Sequence, residues 1–387
     1  MQIIAWVQAA FSALWAGQVE RHVAKRSETS VNVLIATPFG SGGRGGIDRL
    51  MDALRDGTRD DRFEGCQLWF GATRGPVPLL LSPIYFVLFC LRMTILRLLG
   101  RLDVLHLNLA AHGSAHRKAA LGRFASWLGV PYVIHLHGSR FRSFLGAASP
   151  ATRAKMRLFF GDAGRVVVLG RVWRDYVADN LPEARDRIVV LPNATGAFTT
   201  PRSRTPRERV RILFLGQLGE RKGVRDLVSA LDGLRDLEGW DAVIAGDGEV
   251  EDTRRRVSEL ALASRVTLPG WVDVEQARAL LADADILVLP SYDENLPMSV
   301  IEGMSAGLAV ITTPVGAVED IIQDDVTGLL VPPGDVAALS AGLRRLVSDK
   351  PLRDRLGAAA VAFHREHLEI GAYDRRIAQI WRAAAGR

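Results

Sequence analysis

The sequence predicts an α/β protein made of two domains, each built on a parallel β-sheet with helices on both faces. The chain has 387 residues, a natural length for two domains of about 190 residues each. Short strands that are apolar enough to be buried on both faces alternate with helical patterns, which is typical of parallel sheets. One polar stretch between 190 and 210, PNATGAFTTPRSRTPRER, interrupts this alternation and is expected to be a linker.

The first domain is predicted over residues 31–195 and the second over 210–369. Strands of the first domain are expected at 31–39, 104–109, 132–137, 166–169 and 188–191. Strands of the second are expected at 211–216, 242–246, 266–270, 286–290 and 309–313. A last helix, at about 370–387, is expected to be able to pack back on the first domain.

Two apolar segments stand outside this alternation. Residues 1–30 form a predicted amphipathic helix with its basic group after the apolar run, the reverse of a signal peptide. It either lies in a membrane interface or packs on the protein's own core. In residues 79–99 an apolar stripe carries Arg92 and Arg97. If this segment docks on a membrane, both arginines can reach lipid phosphates. A core helix and a short membrane span are the alternatives.

Charge divides the chain into unlike halves. The first 200 residues hold 25 Lys/Arg against 14 Asp/Glu, and the remaining residues hold 24 against 29, so the net charge of +6 is the sum of +11 and −5. A basic first half is expected to face an anionic partner, such as lipid headgroups or a lipid diphosphate. Nucleic acid is not expected, because no recognition motif accompanies the basic residues. The two cysteines offer no disulfide framework or metal-ligand spacing, which fits a reducing, cytoplasmic compartment.

The most informative segment is 285–307, DILVLPSYDENLPMSVIEGMSAG, in which a buried strand leads into a helix with a glutamate on either side of its start. We expect the helix to begin near Asn295, with Pro297 in its first turn. A helix N-terminus offers free N–H groups and a positive dipole end, which suit a diphosphate. Glu294 would then lie beside the group attached to the distal phosphate. Glu302, two turns on, would accept hydrogen bonds from a ribose.

These residues resemble a known family, the retaining glycosyltransferases of the GT-B fold and specifically the large family-four group. The resemblance covers about residues 31–385 and is most specific in ENLPMSVIEGMSAGLAVITTPVGAVEDII. It implies two Rossmann-like domains facing across a cleft. It also implies that Glu294 lies beside the donor sugar, that the backbone amides of Asn295 and Leu296 hold the diphosphate, and that Glu302 binds the ribose.

A second matching element is LGQLGERKG at 215–223. In the family an arginine and a lysine of this motif both contact the donor diphosphate. Lys222 matches the lysine, but Gln217 stands at the usual arginine position. Arg221 is the nearest residue that can supply the missing charge. Two cations suit a metal-free site, because they neutralise the departing diphosphate.

A third element, VIHLHGS at 133–139, ends a strand of the first domain. By resemblance His137 is the residue near the reacting sugar. His135 points to the same face of a regular strand and is its local rival. Arg140, in the basic sequence that follows, is a candidate contact for the acceptor or a phosphate.

Glycines mark the remaining candidate donor contacts. In the loop GSGGRGGID at 40–48, Gly45 and Gly46 match the paired glycines that the family places near the donor phosphate. A dinucleotide-binding fingerprint is the alternative for this loop, and it fits less well. By resemblance Gly246 in AGDGE and Val272 in LPGWV lie in segments that flank the nucleoside.

The resemblance implies hexosyl transfer from a nucleoside-diphosphate sugar with retained configuration and no cofactor. No metal is expected, because Asp283 and Asp285 precede a buried strand and are interpreted as a structural pair. The basic first domain and the apolar segments favour a glycan or polyprenyl-linked saccharide acceptor. We therefore expect a role in exopolysaccharide or O-antigen assembly, peripheral on the inner face of the plasma membrane. A nucleotide-sugar epimerase of the same fold and a non-catalytic nucleotide-sugar binder or scaffold are the alternatives.

Overall fold

A computed structural model of the chain describes residues 30–38, 46–56, 62–75, 82–200 and 209–387. The predicted N-terminal helix and Gly45 therefore lie outside the described residues. The chain forms two compact units. Unit 1 contains the chain up to Val168 together with 174–191 and 374–387, and unit 2 contains Leu169–Trp173 and Pro192–Tyr373.

Unit 1 is built on a seven-stranded sheet in the order β2-β3-β1-β4-β5-β6-β7. All neighbouring strands are parallel except β2, which pairs antiparallel with β3 at one edge. The strands are β1 Val31–Thr37, β2 Arg62–Phe63, β3 Cys66–Ala72, β4 Val104–Leu109, β5 Tyr132–Leu136, β6 Arg165–Val168 and β7 Ile188–Val190. Every residue of β1, β4 and β5 is buried, which explains why most of their residues are apolar.

Unit 2 is built on a six-stranded parallel sheet in the order β10-β9-β8-β11-β12-β13. Its strands are β8 Val210–Leu215, β9 Trp240–Ala245, β10 Val266–Gly270, β11 Ile286–Leu289, β12 Ala309–Thr312 and β13 Leu329–Leu330. The two parallel α/β sheets confirm the predicted fold class. In the part of the chain that the structure describes, no helix is long and apolar enough to cross a membrane.

Helices connect the strands of both sheets. In the first half they are α1 Gly46–Asp56, α2 Ser82–Leu98, α3 Gly113–Trp127, α4 Phe141–Gly146, α5 Pro150–Gly161 and α6 Arg171–Asn180. In the second half they are α7 Val224–Asp232, α8 Val250–Glu259, α9 Val274–Ala282, α10 Met298–Ser305, α11 Val336–Ser348, α12 Lys350–His367 and α13 Ile370–Ala384. Side-chain caps fix several helix starts. For example, Asp273 and Gln276 form a capping box at the start of α9.

The last helix, α13, begins in unit 2 and ends in unit 1. Trp381, near its end, is fully buried in unit 1 and lies edge-on to His106. Arg387 extends this attachment, since its guanidinium bonds to the carbonyl oxygen of Ser30 at 3.0 Å and pairs with Asp103 at 3.4 Å. The end of the chain thus completes the core of the first unit.

The segment 79–99 forms the single helix α2 from Ser82 onward. Arg92, predicted to reach lipid phosphates, does not extend outward: its Nη1 donates to the carbonyl oxygen of Phe70 at 2.8 Å. Burial lowers the pKa of Arg92. Arg97 is exposed, and its Nε donates to the carbonyl oxygen of Leu128 at 3.1 Å. If the segment docks on a membrane, Arg97 is therefore the arginine of this helix that is already exposed.

Candidate functional site

In unit 2 the predicted donor residues follow the carboxyl ends of four neighbouring strands. The loop after β8 carries Gln217, Arg221 and Lys222. The loops after β9 and β10 carry Gly246 and Val272, and the loop after β11 carries Glu294, Asn295 and Leu296. The carboxyl ends of parallel strands share one edge of the sheet, which is where α/β proteins bind ligands.

Glu294 is the centre of a compact charged cluster at this edge. Its Oε1 lies 2.5 Å from Lys222 Nζ and 3.2 Å from Arg221 Nη1, and it accepts a hydrogen bond from Ser291 Oγ at 3.0 Å. The carboxylate is 8% exposed. Arg221 also donates to the carbonyl oxygen of Asp293 at 2.8 Å. The sequence left the direction of Arg221 open, and the structure turns it toward Glu294.

Glycines allow the loops of this edge to approach one another closely. Gly223 adopts a φ of 66°, and a Cβ there would lie 2.0 Å from the carbonyl oxygen of Pro290. Gly246 adopts a φ of 152°, and its Cβ would lie 1.8 Å from the carbonyl oxygen of Gly216. Larger residues at these positions would push the loops apart. The glycines therefore place Lys222 beside the loop that carries Glu294.

The helix after β11 begins later than the sequence predicts. Helix α10 begins at Met298, and Pro297 is its N-cap residue, with an extended φ of −73° and ψ of 126°. The carbonyl oxygen of Asn295 accepts from the Ala317 amide at 2.7 Å, and that of Leu296 accepts from Asn193 Nδ2 at 2.9 Å. These tertiary bonds hold the preceding residues outside the helix, so the predicted start near Asn295 was wrong.

Glu302 lies within α10 and is partly exposed. The neighbouring Gly303 brings this helix close to β11, because a Cβ at Gly303 would lie 2.6 Å from Leu287 Cδ2. Glu294, by contrast, belongs to the loop before the helix. The two glutamates are therefore related by a loop and a short helix rather than by two turns of one helix, as the sequence spacing suggested.

The remaining donor candidates of unit 2 lie on the same strand ends. Gln217 is exposed, and Val272 is 9% exposed just after β10. The amide of Gly246 donates to the carbonyl oxygen of Gly270 at 2.8 Å, which ties the end of β9 to the end of β10. Among the described residues, the hydrogen bonds and ion pairs recorded for the Glu294 cluster do not include Gln217.

Asp283 and Asp285 lie before β11, so at the opposite edge of the sheet. Arg211 forms an ion pair with Asp283, and its amide donates to Asp285 Oδ2 at 2.9 Å. Arg211 also pairs with Asp241 at 2.6 Å. The two aspartates are a structural pair, as interpreted from the sequence. Among the described residues, no group of three or more His, Cys, Asp or Glu side chains is placed to hold a metal ion.

In unit 1, His137 follows β5 and belongs to a row of buried imidazoles. Its ring centroid lies 3.9 Å from that of His135, which in turn lies 5.4 Å from that of His106. His106 and His135 are 1% and 0% exposed, whereas His137 is 9% exposed. Among the described residues, neither ring nitrogen of His135 has a hydrogen-bond partner. His137 is therefore better placed to meet a ligand than its rival His135.

Burial keeps this row of histidines neutral. It lowers the pKa of His137 to about 3, with a further contribution from the nearby His106. It lowers the pKa of His106 to about 4, and it lowers that of His135 well below the ordinary value. An uncharged imidazole can donate one hydrogen bond and accept another, which suits a sugar hydroxyl.

Arg140 and Gly46 are two further candidate residues of unit 1. Arg140 is exposed and directly precedes α4, and its carbonyl oxygen accepts from the Phe144 amide at 2.9 Å. Gly46 is the first residue of α1. Asn108 was not predicted as a site residue, yet its Oδ1 lies 3.0 Å from His137 Nε2. A signal was present, because His106 and Asn108 alternate with leucines in a strand that is otherwise apolar.

Comparison with known proteins identifies the chain. Residues 16–194 match the family described as Glycosyl transferase 4-like domain, and residues 198–362 match Glycosyl transferases group 1. The chain belongs to the family-four glycosyltransferases of the GT-B fold. It is accordingly a glycosyltransferase that uses a nucleotide-sugar donor.

Individual relatives agree with this assignment. The 2-deoxystreptamine N-acetyl-D-glucosaminyltransferase of Streptomyces fradiae is 29% identical over 356 residues, with 82% of each chain covered. The α-D-kanosaminyltransferase of Streptomyces kanamyceticus is 27% identical over 275 residues, covering 66% of this chain and 71% of the relative.

Solved structures show the same fold. The sucrose-phosphate synthase of Thermosynechococcus elongatus superposes with a TM-score of 0.72 at 19% identity, covering 91% of this chain and 98% of the other. Anabaena HepE in complex with UDP superposes with a TM-score of 0.71 at 16% identity, covering 90% and 99%.

Proposed function

We propose that this glycosyltransferase moves a hexosyl unit from a nucleoside-diphosphate sugar to its acceptor with retained anomeric configuration and without a metal ion. The observation that carries the proposal is the placement of Arg221 and Lys222 on one oxygen of Glu294 at the ligand-binding edge of unit 2. A diphosphate entering this edge brings negative charge that competes with the carboxylate for both cations. The cations can then follow the leaving group as its charge grows.

Each candidate residue has one task in this mechanism. Lys222 and Arg221 stabilise the departing diphosphate, Glu302 holds the ribose, and Glu294 positions the donor sugar. His137 of unit 1 accepts a hydrogen bond from a hydroxyl of the reacting sugar. The acceptor hydroxyl attacks from the face of the leaving group, its proton passes to the departing phosphate oxygen, and no enzyme nucleophile is needed.

Donor hydrolysis without acceptor tests the proposal without knowledge of the acceptor. The purified chain is incubated in EDTA with UDP-, GDP- or ADP-glucose, each an α-linked donor, and the first glucose released is followed by proton NMR. We expect α-glucose to form before mutarotation, and the Lys222→Ala variant to release it at least ~100-fold more slowly. Release of β-glucose first contradicts retention, and loss of activity in EDTA contradicts metal independence.

Two other outcomes correspond to the alternative functions. Interconversion of UDP-N-acetylglucosamine and its epimer without release of sugar indicates an epimerase. Nucleotide binding without turnover of any donor, even with acceptors present, indicates a non-catalytic binder.

The charge of unit 1 favours an anionic acceptor. Residues 65–161 contain twelve Lys/Arg and a single acidic residue, Asp103. That carboxylate is engaged by the amide and side chain of Asn32 at 2.9 and 2.8 Å. The Streptomyces fradiae relative is named for 2-deoxystreptamine, a diamine that such a surface would repel. A polyprenyl-diphosphate-linked saccharide, as used in exopolysaccharide or O-antigen assembly, is attracted instead.

We also propose that unit 1 docks on an anionic lipid bilayer, on the inner face of the plasma membrane, through the outer face of α2. Ile84, Val87, Leu91 and Leu98 are 41%, 62%, 52% and 81% exposed. At about 100° per residue, these positions span about 60° of the helix circumference. The buried residues of α2, among them Phe89 and Met93, lie on the opposite face. An apolar stripe of this kind is typical of helices that lie in a membrane interface.

The end of this stripe carries the residues expected at the headgroup level. The hydrogen bond from Arg97 Nε to the carbonyl oxygen of Leu128 joins the end of α2 to the end of α3. Trp127, beside that bond, is 77% exposed, and Arg101 and Arg123 are exposed as well. Exposed tryptophan with arginine is a common interfacial combination. Charge complementarity thus favours anionic lipid over a second copy of this basic chain.

Vesicle co-sedimentation tests the docking surface. We expect binding to vesicles containing phosphatidylglycerol, weaker binding to pure phosphatidylcholine, and release by high salt. The triple variant Val87→Ser/Leu91→Ser/Leu98→Ser should bind at least ~10-fold more weakly. The control Val274→Ser/Val326→Ser, at positions 51% and 40% exposed in unit 2, should bind normally. Equal vesicle binding by the triple variant and the wild type contradicts the proposal. A wild-type chain that is a dimer, together with a triple variant that is a monomer, contradicts it as well.

A further inference from the structure

A buried row of hydrogen bonds in unit 1 connects the last helix to His137. Trp381 Nε1 donates to His106 Nδ1 at 3.0 Å. His106 Nε2 lies 3.3 Å from Asn108 Oδ1, and His137 Nε2 lies 3.0 Å from the same oxygen. Trp381, His106 and Asn108 are between 0% and 3% exposed. One carboxamide oxygen therefore joins two imidazoles.

The chemistry of the two ends fixes which atoms donate. An indole N–H only donates, so His106 Nδ1 accepts and the neutral ring carries its proton on Nε2. A carboxamide oxygen only accepts, so both His106 Nε2 and His137 Nε2 donate to Asn108 Oδ1. Both histidines are thereby assigned as Nε2–H tautomers.

The orientation of Asn108 is fixed from its other side. Its Nδ2 donates to the carbonyl oxygen of Ala36 at 3.5 Å and to Met51 Sδ at 3.2 Å. Both partners are acceptors, so a flipped carboxamide would place its oxygen against them and its NH₂ group against the Nε2–H group of His106. Asn108 pairs with His135 in the parallel register of β4 and β5, two residues before His137. The register of the two strands thus places the Asn108 carboxamide within reach of the His137 ring.

We propose that Asn108 is a positioning residue that holds His137 in the Nε2–H tautomer and leaves Nδ1 as the acceptor for a sugar hydroxyl. The inference rests on the role of His137 in the proposed function. Trp381 acts one step further away, because it fixes His106, which shares the same oxygen. A histidine with the opposite tautomer would present an N–H donor where an acceptor is required.

Nitrogen-15 NMR of the histidine-labelled full chain tests the tautomers directly. The ring nitrogens of a neutral imidazole differ strongly in chemical shift according to which one carries the proton. We expect wild-type His106 and His137 both to be protonated at Nε2. In Asn108→Leu, which keeps the volume but removes the acceptor, the His137 signals should shift to a mixture of tautomers. In Asn108→Asp, which retains an oxygen, His137 should remain protonated at Nε2.

Kinetics separate positioning from structural support. Asn108→Leu should lower kcat by about 100-fold, with unchanged affinity for the nucleotide measured by calorimetry, because Arg221, Lys222 and Glu302 belong to unit 2. Asn108→Asp should recover part of kcat, and Trp381→Phe should cost less than Asn108→Leu. A wild-type His137 protonated at Nδ1, or an unaltered tautomer in Asn108→Leu, overturns the inference. A wild-type chain with the expected tautomers but no turnover of any donor refutes the proposed function instead.

Discussion

Arg221 shares Glu294 with Lys222, although it is not at the position where the family usually carries its arginine. That position holds Gln217, whose side chain is exposed. If Arg221 supplies the missing cation, its contribution to diphosphate binding depends on what stands at 217.

A double-mutant cycle measures this dependence. Arg221→Ala should weaken nucleoside-diphosphate binding by about 3–10-fold, as expected for one charged hydrogen bond at a half-exposed site. In the Gln217→Arg background, Arg221→Ala should weaken binding much less, because the arginine introduced at 217 contacts the same negative charge of the diphosphate. Arg225→Ala, at an exposed residue of α7, is the control. Equal losses in both backgrounds would show that Arg221 does not replace the missing arginine.

The buried histidines predict a marked loss of stability in acid. The pKa values of His106 and His137 are about 4 and about 3 in the folded chain, against about 6.5 when unfolded. Between these values only the unfolded state binds the protons, so stability is present above pH 6.5 and is lost as pH falls. Each histidine should cost about 1.4 kcal/mol per pH unit below 6.5.

His135 provides the test, because neither of its ring nitrogens has a hydrogen-bond partner in the part of the chain that the structure describes. Replacing it by Leu should leave unit 1 as stable or more stable at pH 7.5, since no hydrogen bond is lost. The same variant should lose less stability than the wild type between pH 7.5 and pH 5.5, because one buried histidine that only the unfolded chain protonates is removed. Urea unfolding at the two pH values measures both effects. An acid dependence identical to that of the wild type would show that His135 is not held neutral.

At the scale of elements, the loop 290–297 is held by contacts from outside itself. Gly316, with a φ of 62°, would place a Cβ 2.2 Å from the carbonyl oxygen of Glu294 and 2.4 Å from that of Asn295. The next residue, Ala317, donates its amide to Asn295. The segment around 316 therefore sets the position of the loop that carries Glu294.

Gly316→Ala should consequently displace this loop and weaken nucleotide binding by at least ~10-fold. The new Cβ would clash with two backbone carbonyl oxygens, which can move away only if the main chain of the loop moves. Gly100→Ala is the matched control: its φ is 65°, and a Cβ there meets nothing within 4 Å. The control should cost only about 1 kcal/mol of stability, from the left-handed backbone alone, with nucleotide binding unchanged. Unchanged nucleotide affinity in Gly316→Ala would show that the loop does not need this contact.

The same elements show what the sequence could and could not predict. Apolar strands such as Ile286–Leu289 were predictable, because burial on both faces leaves a continuous apolar run. The strand Cys66–Ala72 was missed, since Gln67 and Gly71 interrupt its pattern. The start of α10 was placed too early because the bonds to Asn295 and Leu296 come from residues distant in sequence. The contact of Asn108 with His137 depends on strand register in the same way.

At the scale of the whole molecule, charge and chemistry are divided along the chain. The two halves hold almost equal numbers of Lys and Arg, 25 and 24, but the acidic residues concentrate in the second half, 29 against 14, which gives it a net negative charge. The Lys222–Glu294 cluster lies in that second half. The Lys222–Glu294 ion pair would be purely structural if no diphosphate competes with the carboxylate for the lysine. Whether a nucleoside diphosphate binds there is therefore the central question.

Calorimetric titration of the full chain with UDP, GDP and ADP answers this question most directly, with Lys222→Ala compared in parallel. Lys350→Ala is the control, because Lys350 is an exposed lysine of unit 2 whose recorded ion pair is with Asp354, at a distance from the proposed donor residues in the sequence. We predict saturable binding of one nucleoside diphosphate, an affinity at least ~10-fold lower in Lys222→Ala, and no change in the control. Equal binding by wild type and Lys222→Ala, or no binding of any nucleotide, would contradict the assignment of the donor site.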